Sequence, residues 1–322
     1  MADKDETSGA NWERAVLEKV ALAAVQEQKR ARHWSIIIKL LFLGYLFILL
    51  FYGMGLFAGK RDAHPGRHTA LVEMKGVIAA EGAASADNVV SGLQEAFNDK
   101  ATQGVILRIN SPGGSPVQAG HINDEIKRLR AKYPDIPLYA VVEDVCASGG
   151  YYVAVAADKI YVDKASIIGS IGVLMDGFGF TGTMDKLGIE RRLLSAGTNK
   201  GFLDPFSPMN PAQKEYAQQM LSEIHEQFIT VVRQGRGKRL KETPEMFSGL
   251  MWVGTKSIEM GLADAMGSVE YVARDVVKAE DIVDFTPREN IAERVVRRFG
   301  AAMGESIVRA LGPGGIAQLL PR

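Results

Sequence analysis

Residues 137–162 read PLYAVVEDVCASGGYYVAVAADKIYV. The opening nine are apolar and β-branched but for one acidic pair, the pattern of a strand buried on both faces. A Ser-Gly-Gly break follows at 148–150, and YYVAVAA then reads as a short apolar helix beginning at Ser148. DKIYV is strand-like again. Upstream, GVILRIN (104–110) is a short apolar strand that runs into the turn SPGGS (111–115) and a helix from about Pro116 to Lys132. Further upstream, TALVEMKGVI (69–78) is a strand. Asp87 then caps a helix through about Asn98 that carries Val89, Leu93 and Phe97 on one face. Downstream, DKIYVDKAS and IIGSIGVLM supply further strands. A helix near 181–187, a strand near 190–196 and a long helix at about 211–234 follow. Strands alternating with helices predict an α/β domain on a mainly parallel sheet.

Composition narrows the function. Among 322 residues, Lys+Arg is 38 and Asp+Glu is 38, which argues against a nucleic-acid protein working through a bulk basic field. Cys146 is the single cysteine, so neither an internal disulfide nor a cysteine zinc cluster is available. The five histidines show no HExxH-like spacing. No metal or cofactor is expected.

Residues 40–59 (LLFLGYLFILLFYGMGLFAG) carry no charge. At about 1.5 Å per residue they reach ~30 Å, the thickness of a bilayer core. The arm before this run exceeds a secretory leader's charged region, and no small-x-small site closes it. It therefore reads as one uncleaved transmembrane helix. Lys29, Arg30 and Arg32 precede it, Lys39 lies near its start, and Lys60, Arg61 and Arg67 follow. The slight N-terminal excess predicts a cytoplasmic arm (1–39) and an external C-terminal part. Residues 12–32 have the spacing of a surface helix, 60–68 are a polar linker, and 291–311 form a second amphipathic helix ended by GPGG (312–315).

Two strand ends carry chemistry. In Asn110–Ser115 the glycines let the backbone turn sharply, and amides at a helix start can face an oxyanion; the same residues also suit a plain strand-to-helix turn. Ser148 suits either a nucleophile or a helix N-cap. A serine hydroxyl needs a base. His121 and His225 lie within helices, away from the glycine turns, and read as surface or packing residues. Lys200 falls in the loop SAGTNKGFLDPFSP (195–208). In a closed apolar site an ammonium is disfavoured, and the neutral amine could take the serine proton. On residues alone, Lys200 is one lysine among many.

Over about 69–285 the chain resembles the signal peptide peptidase A (SppA) family of membrane-bound Ser/Lys peptidases. The matching stretches are RINSPGGS (108–115), DVCASGGYYVAVAADKIYVDKASIIGSIGV (144–173), SAGTNKGFLDPFSPMNPAQKE (195–215) and MWVGTKSIEMGLADAMGSVE (251–270), in the family's order. The resemblance implies a Clp protease/crotonase-like α/β fold with repeated β-β-α units, preceded by one transmembrane helix. The implied domains are an arm (1–39), the span (40–59), a linker (60–68), a peptidase domain (69–285) and a helical extension (286–322). It also implies Ser148 as nucleophile, Lys200 as general base, Ser170 orienting the lysine, and an oxyanion hole from the N–H groups of Gly114 and Gly149. The family more often has an aromatic residue before the lysine and an acidic one after it, where this chain has Asn199 and Gly201; Lys186 and Lys214 are competing bases, and Ser195 competes with Ser170. Expected partners are apolar peptides such as signal-peptide remnants, the lipid bilayer and further copies of the chain in a ring. The expected location is a bacterial inner membrane, with the catalytic domain on the periplasmic side. A crotonase-fold acyl-CoA enzyme and a non-catalytic membrane peptide-binding or assembly factor are the alternatives.

Overall fold

The computed structural model describes residues 6–53 and 66–287, and the chain divides into two units. The first described unit is one helix, α1 (Glu6–Gly53). No Gly or Pro interrupts residues 10–43, so the expected surface helix and the expected membrane run join without a break. The part long and apolar enough to cross a membrane is Glu18–Leu49, earlier than the uncharged run alone suggested; residues 54–59 of that run lie outside the described residues. Apolar side chains along it have no protein cover: Leu41 is 68% and Phe42 63% exposed. The 291–311 helix pattern also lies outside the described residues.

In the second unit, β1 (His68–Lys75), α2 (Ala86–Asn98), β2 (Thr102–Ser111), α3 (Pro116–Lys132), β3 (Leu138–Ala147) and α4 (Gly149–Ala154) alternate as the sequence predicts. β4 (Lys159–Val162), β5 (Ile167–Gly169), α5 (Thr181–Leu187), α6 (Pro211–Arg236), β6 (Met251–Val253), α7 (Gly254–Glu259), β7 (Ala265–Met266) and β8 (Ile282–Asp284) follow. The sheet order is β6-β5-β3-β2-β1-β8, with β4 on β3 and β7 on β4. Every pairing is parallel except β5 with β6. β3 forks the sheet: residues 139–141 pair with β4 and residues 145–147 with β5. The fork frees the end of β3, where the chain turns at Ser148.

Helices cover one face of the sheet. α2 buries Val89, Leu93, Ala96 and Phe97, and α3 buries Ala119, Ile122, Ile126 and Leu129. The opposite face carries a smaller cluster including Leu71, Ile106, Val141, Tyr161 and Val272. Strands covered on both sides explain the near-continuous apolar runs. The cap of α2 is Ser85, whose Oγ accepts the Asn88 N–H at 3.4 Å, so Asp87 sits in the first turn instead. Ser115 caps α3 and Pro116 follows, where a missing N–H costs nothing. The expected strand near 190–196 is not formed. Those residues meet no partner strand, and Leu193 and Leu194 are 46% and 96% exposed. The strand expected to run on from Gly169 stops there: Ser170 has φ 53° and the Gly172 N–H donates to the Ser170 carbonyl at 3.0 Å, so the chain turns and pairs with no strand among the described residues.

Candidate active site

Ser148 stands where β3 becomes α4. Its N–H donates to the Gly169 carbonyl at 2.8 Å, and its own carbonyl accepts the Tyr152 N–H at 3.0 Å. At φ 50° and ψ −122° the backbone is in a region that suits glycine, and the side chain makes no capping hydrogen bond. Ser148 thus holds the N-cap position of α4 while its hydroxyl takes no part in capping. A non-glycine residue held in such a conformation costs of order 1–3 kcal/mol and persists only where its surroundings enforce it.

The enforcing contact is the SPGG turn. A Cβ on Gly113 would lie 2.7 Å from the Ser148 Cβ and 2.7 Å from the Gly149 N, and one on Gly114 would lie 2.1 Å from the Ile78 oxygen. Both have positive φ, 100° and 148°. Ile78 N–H donates to the Gly113 carbonyl and Ser115 N–H to the Ile78 carbonyl, both at 2.8 Å; neither bond uses the Gly114 N–H. Gly149 opens α4, so its N–H has no helical acceptor. The ideal Cβ position of Gly149 is 3.3 Å from the Gly114 N. The two amides thus lie close together beside Ser148. Buried Ser111 locks the turn by accepting the Gly113 N–H on its Oγ at 3.1 Å. Gly113 and Ser111 escaped the sequence reading; the double glycine was visible, but not which glycine Ser148 presses against.

Ser148, Gly149, Gly114 and Ser170 line one cleft of about 550 Å³, whose apolar walls include Ala119, Tyr152, Val173, Leu174, Ile224 and Phe228. Ser170 also has positive φ, 53°, and its N–H donates to the Leu250 carbonyl at 2.7 Å. Tyr152 packs on Phe228 at 5.2 Å between ring centres. Burial, and secondarily the nearby Asp124 carboxylate, push the Tyr152 hydroxyl above its ordinary range. Cys146, two residues before Ser148, is fully buried, and burial pushes its thiol up. A buried neutral thiol is no rival nucleophile.

Lys200 is not brought to this cleft. It is exposed in a turn, its N–H donating to the Gly197 carbonyl at 3.1 Å, and it is absent from the lining residues. Lys186, Lys214 and Ser195 are exposed and absent from the lining as well. His121 is exposed on α3. His225 is half-buried and hydrogen-bonds the Ile171 carbonyl at 3.1 Å. The described residues contain no group of His, Cys, Asp and Glu that could hold a metal ion.

Residues 130–282 match peptidase family S49, a stretch that includes Ser148, Ser170 and Lys200. A putative signal peptide peptidase SppA of Enterococcus faecium is 30% identical over 199 residues, 62% of this chain and 57% of that protein. A putative protease of Methanocaldococcus jannaschii is 34% identical over 203 residues, 62% of this chain and 64% of that protein. The Na(+)/H(+) antiporter NhaA of Brucella melitensis is 44% identical over 177 residues, 55% of this chain but 24% of that protein. The chain thus spans about a quarter of the antiporter and around three fifths of the two peptidase relatives. With the mixed, mainly parallel sheet, these matches support an α/β fold of Clp protease/crotonase type, and residues 130–282 are similar to peptidase family S49, as the chain is to SppA-type proteins.

Proposed function

We propose that the protein is a membrane-anchored serine endopeptidase with a Ser148/Lys200 dyad that degrades apolar peptides, signal-peptide remnants among them. The observation that carries this reading is Ser148 itself: an uncapped hydroxyl on strained backbone, beside the adjacent Gly114 and Gly149 amides, in an apolar cleft. In the proposed reaction the neutral Lys200 amine takes the Ser148 proton as Oγ bonds to the peptide carbonyl carbon. The oxyanion accepts hydrogen bonds from the two glycine N–H groups, each worth roughly 10²–10³ in rate. The C–N bond then breaks as the lysine ammonium returns the proton to the leaving amine. Water next loses its proton to Lys200 and attacks the ester, and Ser148 leaves with a proton. Ser170 hydrogen-bonds the amine and orients it.

Because Lys200 lies outside the cleft of its own chain, the reading assigns it to the cleft of a neighbouring copy in a homo-oligomer. Support comes from the exposed apolar side chains of the segment that carries it. Leu174 is 82%, Phe178 76%, Leu187 68% and Leu194 96% exposed. Monomers rarely leave so much apolar surface to water. Helix α1 would hold the assembly in a bacterial inner membrane, with the catalytic unit on the periplasmic side. The position of Lys200 also favours a second reading, a peptide-binding factor without turnover.

Hydrolysis of apolar peptides by the full chain in detergent tests the two. Turnover by the parent that disappears in both Ser148→Ala and Lys200→Ala supports the peptidase. An assembled parent that binds peptide without cleaving it supports the binding factor.

A further inference from the structure

Beyond the dyad, the cleft wall that follows Ser170 needs an explanation. Residues 170–174 follow β5 and pair with no strand among the described residues. Gly172, Val173 and Leu174 nevertheless line the cleft. Two bonds to other elements hold this unpaired wall. The Ser170 N–H donates to the Leu250 carbonyl at 2.7 Å, and the Ile171 carbonyl is bonded to His225 Nε2 at 3.1 Å. A carbonyl only accepts, so the histidine must carry hydrogen on Nε2. His225 sits on α6 beside Ile224 and shortly before Gln227 and Phe228, and those three line the same cleft. One side-chain bond therefore ties the helix that supplies part of the cleft to the segment after β5 that supplies another part. It does so one residue from Ser170, whose φ of 53° makes its conformation dependent on its neighbours.

We propose that His225 is a positioning residue. Its Nε2–H bond to Ile171 sets the spacing between α6 and the Ser170–Leu174 wall, and with it the seat of the substrate and the aim of Ser170. The effect on catalysis rests on the peptidase reading; the tether itself does not. Ile171 is fully buried and His225 half-buried, so water reaches this carbonyl poorly and losing the donor leaves it unsatisfied.

The full chain in detergent is compared as parent, His225→Leu and His225→Gln. The Gln amide can still offer an N–H at about the reach of Nε2. Two quantities are read: hydrogen exchange of a peptide covering 168–176, and KM and kcat for peptide hydrolysis. In His225→Leu, exchange of 168–176 should quicken roughly three- to tenfold, the worth of one such bond. KM should rise by a similar factor, more than kcat falls, and His225→Gln should restore both. Unchanged exchange in His225→Leu overturns the proposal. So does a His225→Gln variant as impaired as His225→Leu, or a loosening that spreads to β2 and α3, which would make His225 a mere prop of the fold. A parent that cleaves no peptide counts against the peptidase reading alone, and the exchange measurement still decides the tether.

Discussion

At Ser148, stability and chemistry pull in opposite directions. The backbone strain of about 1–3 kcal/mol would vanish in Ser148→Gly, while the extra freedom of an unfolded glycine costs ~0.5–1 kcal/mol. The variant should therefore be as stable or more stable, by up to about 2.5 kcal/mol, and catalytically dead; thermal melting beside a peptide assay checks both, and a lower Tm would mean that the strain is not there. The glycines of the turn make a second test. Gly114→Ala meets the Ile78 carbonyl at 2.1 Å and must move the amide, so peptide turnover should fall by roughly 10²-fold or more. Gly120→Ala, on α3 with nothing within 4 Å of its Cβ, should leave turnover alone and add about 0.5–1 kcal/mol of stability. The serine and both glycine pairs were visible in the sequence because each interrupts an apolar run. The role of Gly113 was not, since it depends on a contact between two turns far apart in the chain.

Among the elements, α6 is held at its C-terminal end by a buried ion pair. Arg236 is 1% exposed and donates through both terminal nitrogens to Asp264, at 2.8 and 2.9 Å. Asp264 also accepts the Ile160 N–H at 2.7 Å. Burial works against the Asp264 charge, but the Arg236 bond and charge outweigh it and hold the carboxyl below the usual range. A carboxyl lowered on folding contributes stability above its unfolded pKa and loses it as pH falls through the folded value. Asp264→Asn should therefore cost about 3–5 kcal/mol near neutral pH, because it strands a buried guanidinium. Its penalty should shrink in the acid range below the ordinary carboxylate pKa; denaturant midpoints measured against pH check this. The strands and helices from β1 to α4 were legible because burial on two faces writes itself as continuous apolar runs with capped helices between them. The 190–196 stretch, ERRLLSA, offers only Leu193 and Leu194 behind three charged residues and forms no strand, since pairing needs a neighbour that local sequence cannot specify. Similarly, Ser85 rather than Asp87 caps α2, an ambiguity of one turn between two good capping residues.

For the whole molecule, the proposed dyad requires more than one chain at each active site. If Lys200 serves the serine of a neighbour, mixing inactive Ser148→Ala with inactive Lys200→Ala should regain turnover as the copies exchange; a mixture that stays dead while co-assembled would return the lysine to its own chain. Leu194→Asp, which puts a charge on the most exposed apolar side chain of that segment, should weaken assembly and lower turnover together, as seen by sedimentation and peptide assay. In the sequence, assembly was expected only through the family resemblance, and which copy's serine Lys200 would serve was not legible, because a contact between chains leaves no local pattern in one. The central claim remains the identity of the nucleophile. Treating the full chain with a fluorophosphonate and mapping the adduct by mass spectrometry tests it most directly. The account predicts one phosphonyl group, on Ser148, which is lost in Ser148→Ala and slowed in Lys200→Ala. An adduct on another residue, or undiminished peptide turnover with Ser148 fully modified, would contradict it.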